Sequence, residues 1–446
     1  MSSIHKLGGL NFVISSMLKK NLLLVVLFMS NCSYAQSKTD SLMLLILDCS
    51  RTPVSKQVLK DPKSFRVQII YTQINRNKQN KPSFKNYYYH YDAAAYFNPA
   101  SMVKMPLAFL SLEKLNHLKN LGIDKFSSMA YDSSYQGQKI MLKDSVSENG
   151  LPSIATFIKR AFLISENDPY NRMYQFMGQE AINKILVDKG YNHLRITRQF
   201  MGFSEDQNRH TNPIRFINKE GALIYDQPGA YNQIPFDFNM EFKVGNGYRN
   251  KKDSIINEPF DFTKHNYVPL EYFQQLLQSI LFPSSVPLKK GFGISKQDRN
   301  FLLQYLSQYP SETNYPKYDT SLFYDSYAKF FFQDSTHRMP NNIRVFNKVG
   351  WAYGFLTDVS YVLDIKNNIE FMLSATIYTN KNEILNDDKY EYETVGHPFL
   401  KDIGQTFYQY ELTRSRNFHP KLSNFGILYE KRNERDKRLS IKEVDN

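Results

Sequence analysis

The sequence predicts an α/β protein of the α+β kind, a mostly antiparallel sheet flanked by helices with a large helical subdomain inserted between its strands. Three observations lead there. Residues 65–74 (FRVQIIYTQI) and 85–92, which hold Tyr87, Tyr88, Tyr89 and Tyr91, are rich in β-branched and aromatic residues, and the polar stretch 75–81 between them reads as a hairpin turn. Strand-like runs return only far downstream, at 343–347, 357–363 and 370–378, with 364–368 as the turn of a second hairpin. Between the two sets the apolar period is helical.

Taken in order, 42–48 opens a short helix, and Pro53 and Pro62 punctuate the stretch between it and the first strand. From Ser101 onward Met102, Met105, Leu107, Ala108, Leu110, Leu112 and Leu115 supply more apolar positions than one helix face needs, so a buried central helix follows the first hairpin. Further helices are expected at 154–163, 170–176, 180–189, 270–281, 296–309 and 396–410. The stretch 202–269 is poorly periodic and carries turn signals such as Gln227-Pro228-Gly229 and Gly245-Asn246-Gly247, as expected of loops and short elements. The expected organisation is a sheet subdomain from 36–98 and 341–413, a helical subdomain with an enlarged loop region at 99–340, and a tail at 414–446.

Residues 1–35 are set apart from the fold. Lys19 and Lys20 precede the apolar run 22–29, and Ser33-Tyr34-Ala35 offers small residues at the cleavage positions, the pattern of a secretory signal peptide. A spanning helix needs about twenty apolar residues. The chain is therefore expected to be exported to the periplasm. The alternative is an envelope lipoprotein tethered to the membrane through a lipidated Cys32. Past residue 35 Cys49 is the only cysteine, which excludes an intrachain disulfide and a thiolate zinc site.

The net charge is +13, or +10 without residues 1–35, which hold Lys6, Lys19 and Lys20 and no acid. Much of the basicity lies in 414–446, with nine Lys/Arg against five Asp/Glu and few apolar positions, which reads as a solvated tail open to disorder. Nucleic acid is not an expected partner of an exported chain. The nine histidines form no HxxxH or HxH cluster, so neither a metal nor an organic cofactor is expected.

Nucleophilic serine chemistry needs a hydroxyl, a base to take its proton and fixed donors for the oxyanion. SxxK places serine and lysine on one helix face. The motif occurs at Ser3, Ser16, Ser111, Ser326 and Ser101, and only Ser101, with Lys104, opens a buried helix directly after a strand pair and a Pro99-Ala100 turn. Sixty-four residues later comes Ser165-Glu166-Asn167, followed by Asp168-Pro169-Tyr170 opening a helix, and near the last strands stands Lys348-Val349-Gly350.

Together these motifs resemble the SxxK, SDN and KTG set of class A β-lactamases and related penicillin-binding proteins, over roughly residues 40–412. The resemblance implies a β-lactamase/transpeptidase-like fold and an exported serine hydrolase acylated by a β-lactam or a peptidoglycan-derived amide, acting as a monomer. It implies that Ser101 is acylated and Lys104 helps deprotonate it. Ser165 relays a proton to the leaving nitrogen, Asn167 holds Lys104 and the substrate amide, Lys348 sets the positive field, and the backbone N–H groups of Ser101 and Trp351 form the oxyanion hole. Ser165 and Asn167 have a plainer reading as helix caps, Lys348 as a solvated strand residue, and the Trp351 side chain as core packing.

The pattern departs from the family in three places. Val349 stands where the family has a hydroxyl that meets the substrate carboxylate. No ExxLN follows Ser165-Glu166-Asn167; the similar stretch is Arg195-Ile196-Thr197-Arg198-Gln199-Phe200, which leaves Glu205 or Asp206 as the water-activating acid or leaves the acyl-enzyme long-lived. Ser165 and Lys348 are also unusually far apart in sequence, and the added residues are expected to remodel the cleft mouth. The alternatives are a catalytically impaired envelope-binding protein and a D-Ala-D-Ala carboxypeptidase or transpeptidase-like acyltransferase.

Overall fold

Two distant parts of the chain build one five-stranded antiparallel sheet. β1 (Gln68–Arg76) and β2 (Pro82–Tyr89) form the first hairpin, and β3 (Ile343–Ala352), β4 (Phe355–Asp364) and β5 (Ile369–Tyr378) form a meander, in the order β3-β4-β5-β1-β2. The seam is β1 against β5, with Ile70 opposite Ser374. The computed structural model describes residues 37–444 except 219, 334–335 and 423–425; the expected leader, with Cys32, lies outside the described residues.

The turns arise from their side chains. Asn77 Oδ1 accepts from the backbone N–H of Gln79 and Lys81, and Asp364 Oδ1 accepts from those of Lys366 and Asn367, so each side chain supplies the bond that closes its hairpin. β4 and β5 are buried along their whole length, as central strands covered on both faces must be. β3 extends five residues beyond the expected 343–347. Lys348 and Gly350 weaken its strand signal, but the ladder to β4 continues through Ala352 opposite Phe355 and overrides local propensity.

Helices α1 (Ser41–Leu47) and α2 (Pro53–Lys60) precede the sheet, α3 (Lys104–Leu118), α4 (Ile154–Leu163), α5 (Asn167–Met177), α6 (Gln179–Asp188), α7 (Leu270–Leu281) and α8 (Lys296–Ser307) fall within the insertion, and α9 (His397–Thr413) ends the series. The architecture is α+β, as expected. On one face of the sheet Met43, Ile46, Val58, Ile403 and Phe407 pack on Ile69, Tyr71, Leu373 and Ala375. On the other, Ile70, Phe346, Val359 and Met372 join the core of the inserted helices. Odd and even strand positions thus serve different cores. The stretch 202–269 holds only short elements, among them the strands Ile214–Ile217 and Leu223–Gln227, which pair in a small sheet with Ser128–Tyr131.

The segment after α9 differs from the solvated tail expected of it. Arg432 donates to the carbonyls of Pro310, Thr313 and Tyr318, Glu430 pairs with Lys159, and Ile441 bridges to Tyr318. Low apolar content pointed to solvation, but this strap is held by side-chain bonds to backbone carbonyls.

Alternation along β3 also corrects the reading of Val349. Lys348 and Gly350 face the inserted helices, whereas Val349 faces α9 within the opposite core, 1% exposed. A residue there cannot meet a substrate on the other side of the sheet. Val349→Thr keeps the shape and buries a hydroxyl in an apolar setting, so urea unfolding should show a loss of about 1–3 kcal/mol; unchanged stability would place the side chain at a polar surface.

Candidate functional site

Backbone geometry sets the position of Ser101. Asn98 Oδ1 accepts from the Ala100 N–H, Ala100 adopts a left-handed φ of 43°, and Ala100–Val103 forms a single 3₁₀ turn leading into α3. The edge strand β3 lies directly against this turn. A Cβ on Gly350 would stand 2.7 Å from the Pro99 carbonyl oxygen, so only glycine permits the approach.

Lys104, fully buried, is the hub. Its Nζ lies 2.7 Å from Ser101 Oγ and 2.8 Å from Asn167 Oδ1, bonds the Ser165 carbonyl oxygen, and stands 3.3 Å from Ser165 Oγ. Ser165 holds a φ of 70° between α4 and α5, which turns its carbonyl to the amine. Such strain persists only where surroundings enforce it. Neither Ser165 nor Asn167 caps α5, whose N-cap is Glu166; that carboxylate pairs with Arg160 and accepts from the Tyr318 hydroxyl.

Lys348 is buried, not solvated, and its Nζ donates to Ser165 Oγ at 2.7 Å and to the Val349 carbonyl at 2.7 Å. Trp351 lines the cleft, and its ring packs against Tyr327 and Phe330. The structure therefore brings Ser101, Lys104, Ser165, Asn167, Lys348 and Trp351 to one place.

Electrostatics favour a neutral amine at Lys104. Burial, and then the charge of Lys348, push its pKa well below the ordinary lysine value, against a weaker opposing pull from Glu166. Burial likewise lowers Lys348, with Asp358 opposing and Lys329 adding to the shift. Lys329 and Asp358 form a buried relay behind β3 through Asn347: Lys329 Nζ donates to Asn347 Oδ1, and Asn347 Nδ2 donates to Asp358 Oδ1. A neutral lysine has two N–H donors and one lone pair. The Ser165 carbonyl and Asn167 Oδ1 take the donors, and the lone pair is left for the Ser101 hydroxyl.

The cleft is a cavity of about 320 Å³ that includes Asn98, Ser101, Ser165, Asn167, Phe200 and Tyr353 in its lining. Neither acid considered for water activation lies in it. Glu205 pairs with Lys264 at 2.8 Å, and Asp206 bonds Tyr135, because the capping box at Ser204 turns both acids outward on a short helix. Among the described residues no Asp or Glu lines the cavity, and no group of three or more His, Cys, Asp or Glu could hold a metal. His265 was not found from the sequence, Lys329 is the lysine of the discounted SxxK at Ser326, and Arg198, Gln199 and Phe200, all in the lining, sit in the stretch already singled out.

Residues 56–219 match the beta-lactamase enzyme family. That segment holds Ser101, Lys104, Ser165 and Asn167, and the resemblance read from the motifs is borne out there, among β-lactamase-like serine hydrolases. Lys348 lies beyond it. No curated protein matches the chain. Similar solved structures include β-lactamases from Sphaerobacter thermophilus (12% identity, 81% of this chain and 98% of that one, TM-score 0.43) and Desulfarculus baarsii (13%, 81% and 98%, 0.43). An ancestral class A β-lactamase is 12% identical over 80% of this chain and 99% of its own, with a TM-score of 0.41.

A lysine whose native pKa lies below its unfolded value of about 10.4 binds fewer protons when folded, so between those two values stability rises with pH. Lys104→Met removes one such group. The rise in unfolding free energy between about pH 7 and 9 should flatten by up to about 1.4 kcal/mol per pH unit, measured by urea titration; an unchanged slope would mean that Lys104 is charged in the native state.

Proposed function

We propose that the protein is an exported active-site-serine enzyme acylated at Ser101 by a β-lactam or a peptidoglycan-derived amide, and that its acyl-enzyme is long-lived. The observation that carries this reading is the Lys104 amine, 2.7 Å from Ser101 Oγ with its other partners fixed as acceptors. A base placed and neutralised in this way takes the Ser101 proton as the Oγ–C bond forms.

The carbonyl oxygen becomes an oxyanion, which the backbone N–H groups of Ser101 and Trp351 are proposed to hold. Collapse breaks the C–N bond. The proton passes from Lys104 through Ser165, whose Oγ is within reach of both lysines, to the leaving nitrogen. Lys348 keeps that hydroxyl oriented.

Hydrolysis of the resulting ester needs an activated water, and the carboxylates weighed for it, Glu205 and Asp206, are engaged elsewhere. This supports a penicillin-binding or acyl-transfer mode over rapid β-lactam turnover.

A fluorescent penicillin should label the wild type and not Ser101→Ala, and Lys104→Arg should lose at least a hundredfold in acylation rate, roughly the lower bound for removing a general base, because arginine stays protonated. Intact-protein mass should show the adduct persisting. Absence of labelling in the wild type, or deacylation faster than acylation, would overturn the reading.

A further inference from the structure

The acyl half of the cleft carries a cation, Arg198, that forms no ion pair among the described residues. Arg198 lines the Ser101 cavity and also two adjoining cavities of about 270 and 590 Å³, and His265 lines all three with it. The adjoining cavities also hold acids: Glu205 pairs with Lys264, Asp253 pairs with Arg249 and Asp387 accepts from Asn382, while Asp261, which accepts from the Thr263 N–H, and Asp388 form no ion pair among the described residues. A guanidinium inside a cleft, with several N–H donors unspent, is suited to a carboxylate.

The cation is also held in place. The Arg198 N–H donates to Asn266 Oδ1 at 3.1 Å, and its carbonyl accepts from the Tyr170 hydroxyl at 2.8 Å and from Asn266 Nδ2 at 3.3 Å. Its Nη1 lies 2.6 Å from His265 Nε2. Arginine only donates, so Nε2 is the acceptor and the imidazole is neutral. Burial and the adjacent Arg198 charge, against a weaker pull from Asp261, hold the His265 pKa down to about 3, which keeps it in that role across the working pH range.

The position along β3 says which part of a substrate meets this cation. Ser165 and Lys348 mark the leaving-group end. Tyr353 comes five residues after Lys348, just past the end of the edge strand and about 16 Å away at roughly 3.3 Å per residue, and it lines the Ser101 cavity with Arg198 and packs near His265. The bond to be broken lies between the two ends, so Arg198 faces the acyl portion.

We infer that Arg198, positioned by His265, forms an acyl-side subsite that selects substrates carrying a carboxylate on the acyl group. This rests on the acyl-enzyme reading above and deepens it. The substrate class becomes an amide with a leaving amine at the Lys348 end and an anionic acyl chain at the Tyr353 end.

The test uses two penicillins that differ only in their acylamino side chain, one ending in a carboxylate and the other in the corresponding carboxamide. With wild type, the carboxylate compound should acylate Ser101 about tenfold to a hundredfold faster, the range expected of one hydrogen bond to a charged group. Arg198→Gln should bring the ratio to about one. Arg198→Lys should keep part of the preference, since a point charge remains. A wild-type ratio near one, a preference that survives Arg198→Gln, or an equal slowing of both compounds would overturn the subsite. If neither compound acylates wild-type Ser101, the acyl-enzyme reading itself fails and the subsite falls with it; carboxamide acylation without carboxylate preference removes the subsite alone.

Discussion

The active region is organised around one amine taken out of water. Burying Lys104 among Ser101, Ser165 and Asn167 makes the charged form costly, and the second buried lysine, Lys348, adds like-charge repulsion to that cost. The left-handed backbone at Ala100 and Ser165 is tolerated because it presents a hydroxyl and a carbonyl to that amine. The missing side chain of Gly350 lets the edge strand close over the nucleophile turn. Each of these features is understood through the position of Nζ.

A second consequence is a division of labour between the faces of β3. The even positions Lys348 and Gly350 serve the cleft, and Val349 serves the core under α9. Behind the strand, Lys329, Asn347 and Asp358 form a buried polar relay that tunes Lys348 without touching the cleft. The electrostatics beside Ser165 are thus set partly from the far side of the sheet. Beside Tyr353 they are set by Arg198, held between a pinned backbone and a neutral histidine.

The long segment between the second and third motifs has two roles. Its helices α7 and α8 complete the core beside the sheet, and its irregular part brings His265 and Asn266 to the cleft. The strap after α9 fastens the helical layer from outside through Glu430 and Arg432. Irregular backbone of this kind leaves no periodic trace, because its order comes from side-chain bonds to carbonyls, which obey no repeat in sequence.

The sequence alone determined the α+β class, the helices at Ile154–Leu163 and Leu270–Leu281 to the residue, and Ser101 with Lys104, because periodicity and SxxK spacing are local properties, while the resemblance to class A β-lactamase motifs supplied Ser165, Asn167 and Lys348. Only the tertiary structure decided which way each side chain points and what surrounds it. It turned Val349 into the opposite core, since one step along a strand reverses the face. It set Glu205 and Asp206 apart from the cleft, and it joined Arg198 to His265 across 67 residues. Direction and partnership across such distances are fixed by packing, which no short window of sequence contains.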